Sequence, residues 1–204
     1  MMATPHMFAG AAIGKLTRRP WLAYPAAFAS HFLLDYTPHL DSHALYGIPG
    51  GGPTVPEAAI GIADFVAGAV LIGWLVWQRA DRRVILGGAL CGIVIDLIEL
   101  SPGLGPWFKA WPGTAWFSAW HHGIQHNVTP EQWLLGVGTQ VAVIALALWV
   151  IRRGPGRSRP AVGPPTPREL CVPPETRAAP LRGTNAPRRP GRARVDVQNV
   201  GLGE

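Results

Sequence analysis

Histidine and carboxylate residues gather in short stretches of this 204-residue chain. Six of the seven histidines lie in HFLLDYTPHLDSH (31–43) and WHHGIQHN (120–127), and the seventh is His6. Residues 152–204 contain no histidine. Imidazole and carboxylate together form the ligand set that suits zinc, manganese or non-haem iron. The clustering therefore predicts a site for a divalent metal ion.

Helical spacing would put several of these side chains on shared faces. His31 and Asp35 are four residues apart, and side chains at that spacing are neighbours on a helix. The same spacing separates His122 from His126. We therefore expect each pair to offer its two side chains to one metal ion.

His6 is brought to the same place if residues 16–20, LTRRP, form the turn of a helical hairpin. Residues on the two arms whose numbers sum to about 37 then lie level, because both arms rise by ~1.5 Å per residue. His6 would face His31 across the hairpin. This geometry adds His6 to the predicted ligands.

Asp96 and Glu99 are three residues apart near the end of an apolar run. Zinc with three protein ligands and an open position lowers the pKa of a bound water to about 7. A nearby carboxylate could take the proton as general base, or it could support a ligating histidine from behind. The alternative is that these acids merely pair with Lys109 or with backbone donors.

Four apolar runs would carry these residues. Each of the longer three approaches the ~20 residues needed to cross the hydrocarbon layer of a membrane. The runs are 20–37, 56–78, 84–100 and 132–151. Residues 5–16 predict a short amphipathic helix that cannot span alone. The expected fold is therefore an all-α polytopic membrane protein with about four transmembrane helices and an N-terminal helical hairpin. A soluble helical core rarely needs helices that are apolar all round.

Charge divides the chain into two regions. Residues 1–151, the predicted transmembrane domain, hold seven basic and eight acidic side chains. Residues 152–204 hold eleven arginines against four acids, with ten prolines and no aromatic residue. Such a segment cannot bury enough apolar surface to fold, so we expect a disordered tail. The tail either contacts anionic headgroups of membrane lipids or has no function. Specific binding of nucleic acid is disfavoured, because the tail lacks aromatic residues that could stack on bases.

The basic residues also predict an orientation. Arginines flank the proposed spans at 18–19, 79–83 and 152–153. The positive-inside rule puts these positions and the tail in the cytoplasm of a bacterial inner membrane, with loops 38–55 and 102–130 outside. The dense aromatic residues of 102–130 are typical of a segment at the membrane–water interface, although a substrate-binding patch is the alternative.

Three motifs of the chain resemble, in order, those of the bacterial membrane-bound (inner-membrane) metal-dependent hydrolase family. They are TPHMFAGAAIG (4–14), HFLLDYTPHLD (31–41) and HHGIQHN (121–127). The third departs from the family's His-Arg-Gly-x-Thr-His-Ser pattern at His122, Gln125 and Asn127. The resemblance covers about 1–151 and implies metal-binding roles for a set of six residues: His6, Asp35, His39, Asp41, His122 and His126.

Two functions remain open from the sequence. The first is a metal-dependent hydrolase, with zinc as the expected ion, acting at the outer face on a lipid, a headgroup ester or a phosphoester. The second is a non-enzymatic membrane protein, either a transporter or a scaffold whose acids, among them Asp64, line a path or pair internally. A transporter of four spans would need a homo-oligomer, whereas the crowding of acids toward one face favours a site.

Overall fold

The computed structural model describes residues 1–40 and 54–153, which belong to one compact unit of the chain, Met1–Ala161. Regular structure in the described residues is helical. The helices are α1 (Ala3–Thr17), α2 (Pro20–Asp35), α3 (Val55–Val76), α4 (Arg82–Cys91), α5 (Val94–Leu100), α6 (Leu104–Ala110), α7 (Pro112–Ile124) and α8 (Trp133–Arg152), with a 3₁₀ turn at Pro130–Gln132. The predicted all-α class is therefore confirmed. The loop that holds Asp41 and the tail beyond Arg153 lie outside the described residues.

Helix α1 is the central element of the bundle. It packs against α2, α3, α4 and α8 and is buried along most of its length. Phe8 and Ala11 meet Ile72, Ile85 and Ile151 in the apolar core. The helix is short, as expected, but the prediction that it is amphipathic is wrong, because most of its side chains are buried and Leu16, near its C-terminal end, is exposed.

The hairpin between α1 and α2 forms as its sequence predicts. Arg18 adopts a left-handed conformation (φ 55°), and its N–H bonds back to the Gly14 carbonyl, which ends α1. Pro20 begins α2 at a first-turn position, where its missing N–H costs nothing. The two helices therefore run antiparallel and level.

Glycines let α1 and α4 approach backbone to backbone. Gly10 and Gly14 on α1 face Gly88 and Gly92 on or next to α4, so each side has the small-xxx-small spacing that allows close helix packing. A Cβ at Gly10 would lie 2.2 Å from the Gly88 carbonyl oxygen, and one at Gly92 would lie 2.6 Å from the His6 carbonyl oxygen. This contact leaves no room for any side chain.

The predicted continuous helix over 84–100 is wrong, because the structure breaks it at Gly92 and Ile93. Helix α4 ends at Cys91, and Ile93 has φ −125° and ψ −3° before α5 begins. The Gly92 carbonyl accepts a hydrogen bond from the ring of His31 at 2.8 Å. A side chain that takes a carbonyl out of the helical ladder is a recognised cause of a kink.

Two helical segments are long and apolar enough to cross a membrane, Val55–Val76 and Pro130–Arg152. Their outward faces expose large apolar side chains, including Val70, Trp74 and Leu146. The other two predicted spans are shorter in the structure: α2 has 16 residues, and the run 84–100 is broken. Much of the segment 102–130, expected to be a loop, is helical in α6 and α7.

Asp64, an acid within the apolar helix α3, caps the N-terminus of α1. Its Oδ2 accepts a hydrogen bond from the Thr4 N–H at 2.8 Å, and the Thr4 hydroxyl donates to the Asp64 carbonyl at 2.8 Å. Met2, the residue at the N-cap position, supplies no side-chain cap. The first turn of a helix has unpaired N–H groups and favours negative charge. Asp64 is therefore explained as a structural acid.

Asp81 closes the opposite end of α1. Lys15, which is buried, lies 3.0 Å from its carboxylate, and Arg79 lies 3.0 Å from its other oxygen. Burial alone would raise the pKa of Asp81, but hydrogen bonds from Arg79 and Lys15 lower it below its usual value. The carboxylate is thus ionised at neutral pH and fixes the turn between α3 and α4 onto α1.

Replacing Gly88 with alanine should destabilise the bundle by about 1–3 kcal/mol, the usual cost of overpacking. The added methyl group would meet the Gly10 carbonyl oxygen at 2.3 Å. Gly73→Ala is the matched control, because a Cβ there meets no atom within 4 Å. Thermal unfolding of the two variants in detergent measures the difference, and equal stability of both would contradict the packing described.

Asp64→Ala should lower stability by about 1 kcal/mol, as loss of a helix cap does. Asp64→Asn keeps an acceptor oxygen for Thr4 and should cost less. Glu131→Ala, at an exposed acid, serves as the control. Unfolding in the same detergent series tests the order, and an asparagine variant as unstable as the alanine variant would show that the cap contact is not what Asp64 contributes.

Candidate metal centre

Three imidazole rings surround the carboxylate of Asp35, the last residue of α2. The Nε2 atoms of His31 and His121 lie 3.1 Å and 3.0 Å from its Oδ2, and Nε2 of His6 lies 3.1 Å from its Oδ1. The two Nε2 atoms of His31 and His121 are 3.1 Å apart. Ligand atoms bound tetrahedrally at zinc distances are separated by ~3.3 Å, so the spacing of these donors suits one metal ion.

Burial makes this cluster costly unless it is compensated. His6, His31 and His121 are 0% exposed, and Asp35 is 1% exposed. A buried carboxylate without positive charge or donors around it is strongly unfavourable. The cluster therefore requires positive charge beside Asp35, which can come from the amino group of Met1, 3.2 Å away, from protons on the imidazoles or from a cation among them.

His31 is held with its Nε2 toward Asp35. Its Nδ1 lies 2.8 Å from the Gly92 carbonyl oxygen, which can only accept, so Nδ1 carries the proton and donates it. In the neutral ring Nε2 then has a free lone pair, which is the form that binds a metal. The helix break at Gly92 thus fixes the tautomer of His31.

A carboxylate lies behind the ring of His121, which is on α7. Nδ1 of His121 lies 3.4 Å from Oε1 of Glu99, although neither atom has a hydrogen bond of good geometry among the described residues. The other oxygen of Glu99 lies 2.9 Å from Nε2 of His122. A carboxylate behind a ligating imidazole orients the ring and raises its basicity. Glu99 is therefore placed to support His121 rather than to contact a ligand at Asp35.

His6 stacks on His31, with ring centroids 4.1 Å apart, as the hairpin geometry predicts. Among the described residues, neither ring nitrogen of His6 has a hydrogen bond of good geometry. The backbone nitrogen of Met1 lies 3.2 Å from the same Asp35 oxygen that His6 approaches. An unsatisfied buried imidazole costs about 1–3 kcal/mol, which a metal ligand would not incur.

Asp96, on α5, faces the cluster from the side that is open to solvent. Its Oδ1 lies 3.4 Å from Nε2 of His31 and 3.8 Å from Nε2 of His121, and its side chain is 22% exposed. Two overlapping groups of donors could hold an ion: His31 with Asp35 and His121, and His6 with His31 and Asp96.

A short backbone clasp brings the end of α2 to the end of α7. The His126 N–H bonds to the Asp35 carbonyl at 2.8 Å, the His39 N–H to the His126 carbonyl at 3.1 Å, and the Val128 N–H to the His39 carbonyl at 2.9 Å. We call residues 35–39 and 126–128 the clasp. It holds Asp35 beside His121, although these residues are 86 positions apart.

Several predicted ligands do not join the cluster. His122 is half-exposed and contacts Glu99, whereas its neighbour His121 reaches Asp35. The prediction that His122 and His126 share a helix face is wrong, because α7 ends at Ile124 and Gln125 is extended. His126 is exposed, and His39 is buried with its Nδ1 2.8 Å from the Thr37 carbonyl oxygen. Asp41 lies outside the described residues.

His121 is the site residue that the sequence analysis did not select. Its position follows from the phase of α7, where Phe117 and His121, four residues apart, both form T-shaped contacts with Phe32, at 5.6 Å and 5.5 Å between ring centroids. The four-residue spacing of an aromatic residue and a histidine is a signal that could have favoured His121 over His122.

No protein-family model matches this chain, no curated protein matches it in sequence, and no solved structure matches it in fold. The buried imidazoles and carboxylates could hold a metal ion, and this conclusion stands on the geometry alone. The resemblance to membrane-bound metal-dependent hydrolases stays a prediction that rests on the three motifs.

Proposed function

We propose that this chain is a membrane-embedded, metal-dependent hydrolase, and that zinc is its ion. The ligands are His31, His121 and Asp35, and His6 lies beside them, against the other oxygen of Asp35. Two imidazoles and one carboxylate, with a further position available, match the ligand count of catalytic zinc sites. The observation that carries the proposal is the convergence of three buried Nε2 atoms on one carboxylate, 3.0–3.1 Å from it.

The geometry around His31 supports a cation in this place. If the ring is neutral, its proton lies on Nδ1, and its Nε2 lone pair then points toward the Nε2 of His121 and the oxygen of Asp35. A metal ion between these atoms would use that lone pair as a ligand. Protonation of the rings is the competing explanation, and it corresponds to the structural cluster of the non-enzymatic alternative.

Each residue then has a distinct task. A bound zinc ion would supply a water of lowered pKa. Asp96 is the candidate general base, because it combines contact with His31 and His121 with partial exposure. Glu99 is a positioning residue, since it orients His121 from the far side of the ring.

The reaction is hydrolysis of an ester. The oxygen of water bonds to the carbonyl carbon or the phosphorus, and the bond from that atom to the ester oxygen breaks. Asp96 takes the proton of the attacking water and returns it to the leaving oxygen. The substrate is a lipid, a headgroup ester or a phosphoester that reaches the site from the outer face.

Membrane insertion forms part of the proposal. Support comes from the two apolar segments Val55–Val76 and Pro130–Arg152. We infer four spans in the bacterial inner membrane, with the arginines at 18–19, 79–83 and 152–153 and the tail in the cytoplasm. Lipids are the expected partners, and nothing in the described residues requires nucleic acid or a homo-oligomer.

Purified full-length protein should contain about one zinc ion per chain. His121→Ala and His31→Ala should lose the ion, whereas His122→Ala should keep it. The last variant is the matched control, because it removes the adjacent histidine, which lies outside the cluster. Glu99→Gln should weaken zinc affinity about 10–100-fold, as loss of a supporting carboxylate does.

Elemental analysis and zinc titration of detergent-purified protein measure these changes, with circular dichroism to show that each variant is helical. Wild-type protein that takes up no divalent metal under any supply would overturn the proposal. It would leave the cluster as a protonated structural element.

Asp96→Asn should reduce turnover of a chromogenic ester or phosphoester about 10²–10⁴-fold. The zinc content should stay unchanged, because His31, His121 and Asp35 remain. Assays with p-nitrophenyl esters and bis-p-nitrophenyl phosphate in vesicles test this, beside Glu131→Gln as a control at an exposed acid. Loss of zinc in Asp96→Asn would instead make Asp96 a ligand.

A further inference from the structure

A cavity of about 620 Å³ opens next to the candidate metal centre. Its volume falls within the ~300–1,000 Å³ usual for ligand pockets. One wall is apolar and comes from α3 and α5, with Ile62, Phe65 and Leu97. The other end carries Asp96, Glu99, Lys109 and His122, and Glu57 of α3 is a further acid in the lining. Asp96 therefore joins the cavity to the cluster around Asp35.

Lys109 is the cation at the polar end. In the stretches 1–40 and 54–153, no carboxylate lies close enough to form an ion pair with it, although the sequence left open that Asp96 or Glu99 would do so. Glu99 is instead occupied by His121 and His122. Lys109 thus has its charge available for an anion, and a lysine ammonium binds phosphate groups well.

The apolar wall continues onto the outside of the bundle. Ile62 lines the cavity and is 65% exposed, and Val66, one turn further along α3, is also exposed. Helix α3 is one of the two segments able to cross a membrane. An apolar chain could therefore pass from the lipid side of α3 into the cavity without crossing water.

We propose that this cavity binds a phosphate-bearing lipid. The phosphate contacts Lys109 at the end near Asp96, and an acyl chain lies along Ile62, Phe65 and Leu97. A soluble phosphoester would use the polar end alone and would leave the apolar wall without a partner. The inference deepens the proposed function by naming its substrate class and rests on it for the reaction, but lipid binding is measurable without turnover.

The test is photo-crosslinking of the full chain in vesicles of a phosphate-free galactolipid. The probe is phosphatidic acid with a diazirine on one acyl chain, and the comparison probe is diacylglycerol, which lacks the phosphate, with the same chain. Wild-type protein should be labelled by the phosphatidic acid probe in the peptides that contain 57–65 and 93–100. Equal labelling by both probes would overturn the role of the phosphate group.

Two variants address the two ends of the cavity. Lys109→Gln should reduce labelling about tenfold, the value of one charge-assisted hydrogen bond, and Lys109→Arg should preserve it. Gly61→Phe should block the apolar wall, since a side chain at Gly61 meets no atom within 4 Å and would extend into the cavity. Gly73→Phe adds the same bulk to open space on the same helix away from the cavity, so it should leave labelling unchanged.

The outcomes separate this inference from the proposed function. Labelling that millimolar inorganic phosphate abolishes as effectively as unlabelled phosphatidic acid would identify a soluble phosphate site and overturn the lipid part. If the protein binds zinc and turns over esters but is not labelled selectively, the lipid inference is wrong and the proposed hydrolase function is retained. Selective labelling in a protein that binds no metal would uphold the lipid site and remove the hydrolase.

Discussion

The carboxylate of Asp35 imposes the main constraint on the polar end of this bundle. It lies within 3.1 Å of three imidazoles that come from α1, α2 and α7. A charge at 1% exposure stays in place only while partners compensate it. The same requirement, a positive charge or donor beside the buried carboxylate, therefore keeps α1, α2 and α7 in place.

Close packing of α1 on α4 is what brings two of these rings to their positions. Gly92 packs against the backbone of His6, and its carbonyl oxygen accepts a hydrogen bond from Nδ1 of His31. One glycine thus sets the depth of the first ring and the tautomer of the second. The helix is interrupted at Gly92, as expected if the Gly92 carbonyl bonds to His31 instead of to an N–H of the next helical turn.

The sequence predicted those features that depend on local geometry. The hairpin turn at Arg18 and Pro20 follows from chain chemistry, and equal rise along both arms is enough to bring His6 to His31. The choice between His121 and His122 was missed, because adjacent residues differ only in the rotation of α7 about its axis. That rotation is set by contacts with Phe32, which are not visible in the chain.

Two other outcomes depended on tertiary contacts in the same way. Asp64 suggested a polar path through the membrane, but its partner is the first turn of α1, 60 residues away. The run 84–100 appeared continuous because its composition is apolar throughout, whereas the break at Gly92 is caused by a ring from α2. Composition predicts where a chain is buried, and it does not predict which distant group will take a particular carbonyl or N–H.

The clasp between residues 35–39 and 126–128 has a consequence for how this protein can vary. The three hydrogen bonds that join its two segments are between main-chain atoms, so side chains at exposed positions such as His126 and Asn127 can change without removing them. Substitutions along the outer edge can therefore accumulate while Asp35 and His121 keep their separation. The positions of the candidate ligands are therefore less sensitive to substitutions in the exposed segments beside them. They are more sensitive to substitutions at the buried glycines between α1 and α4.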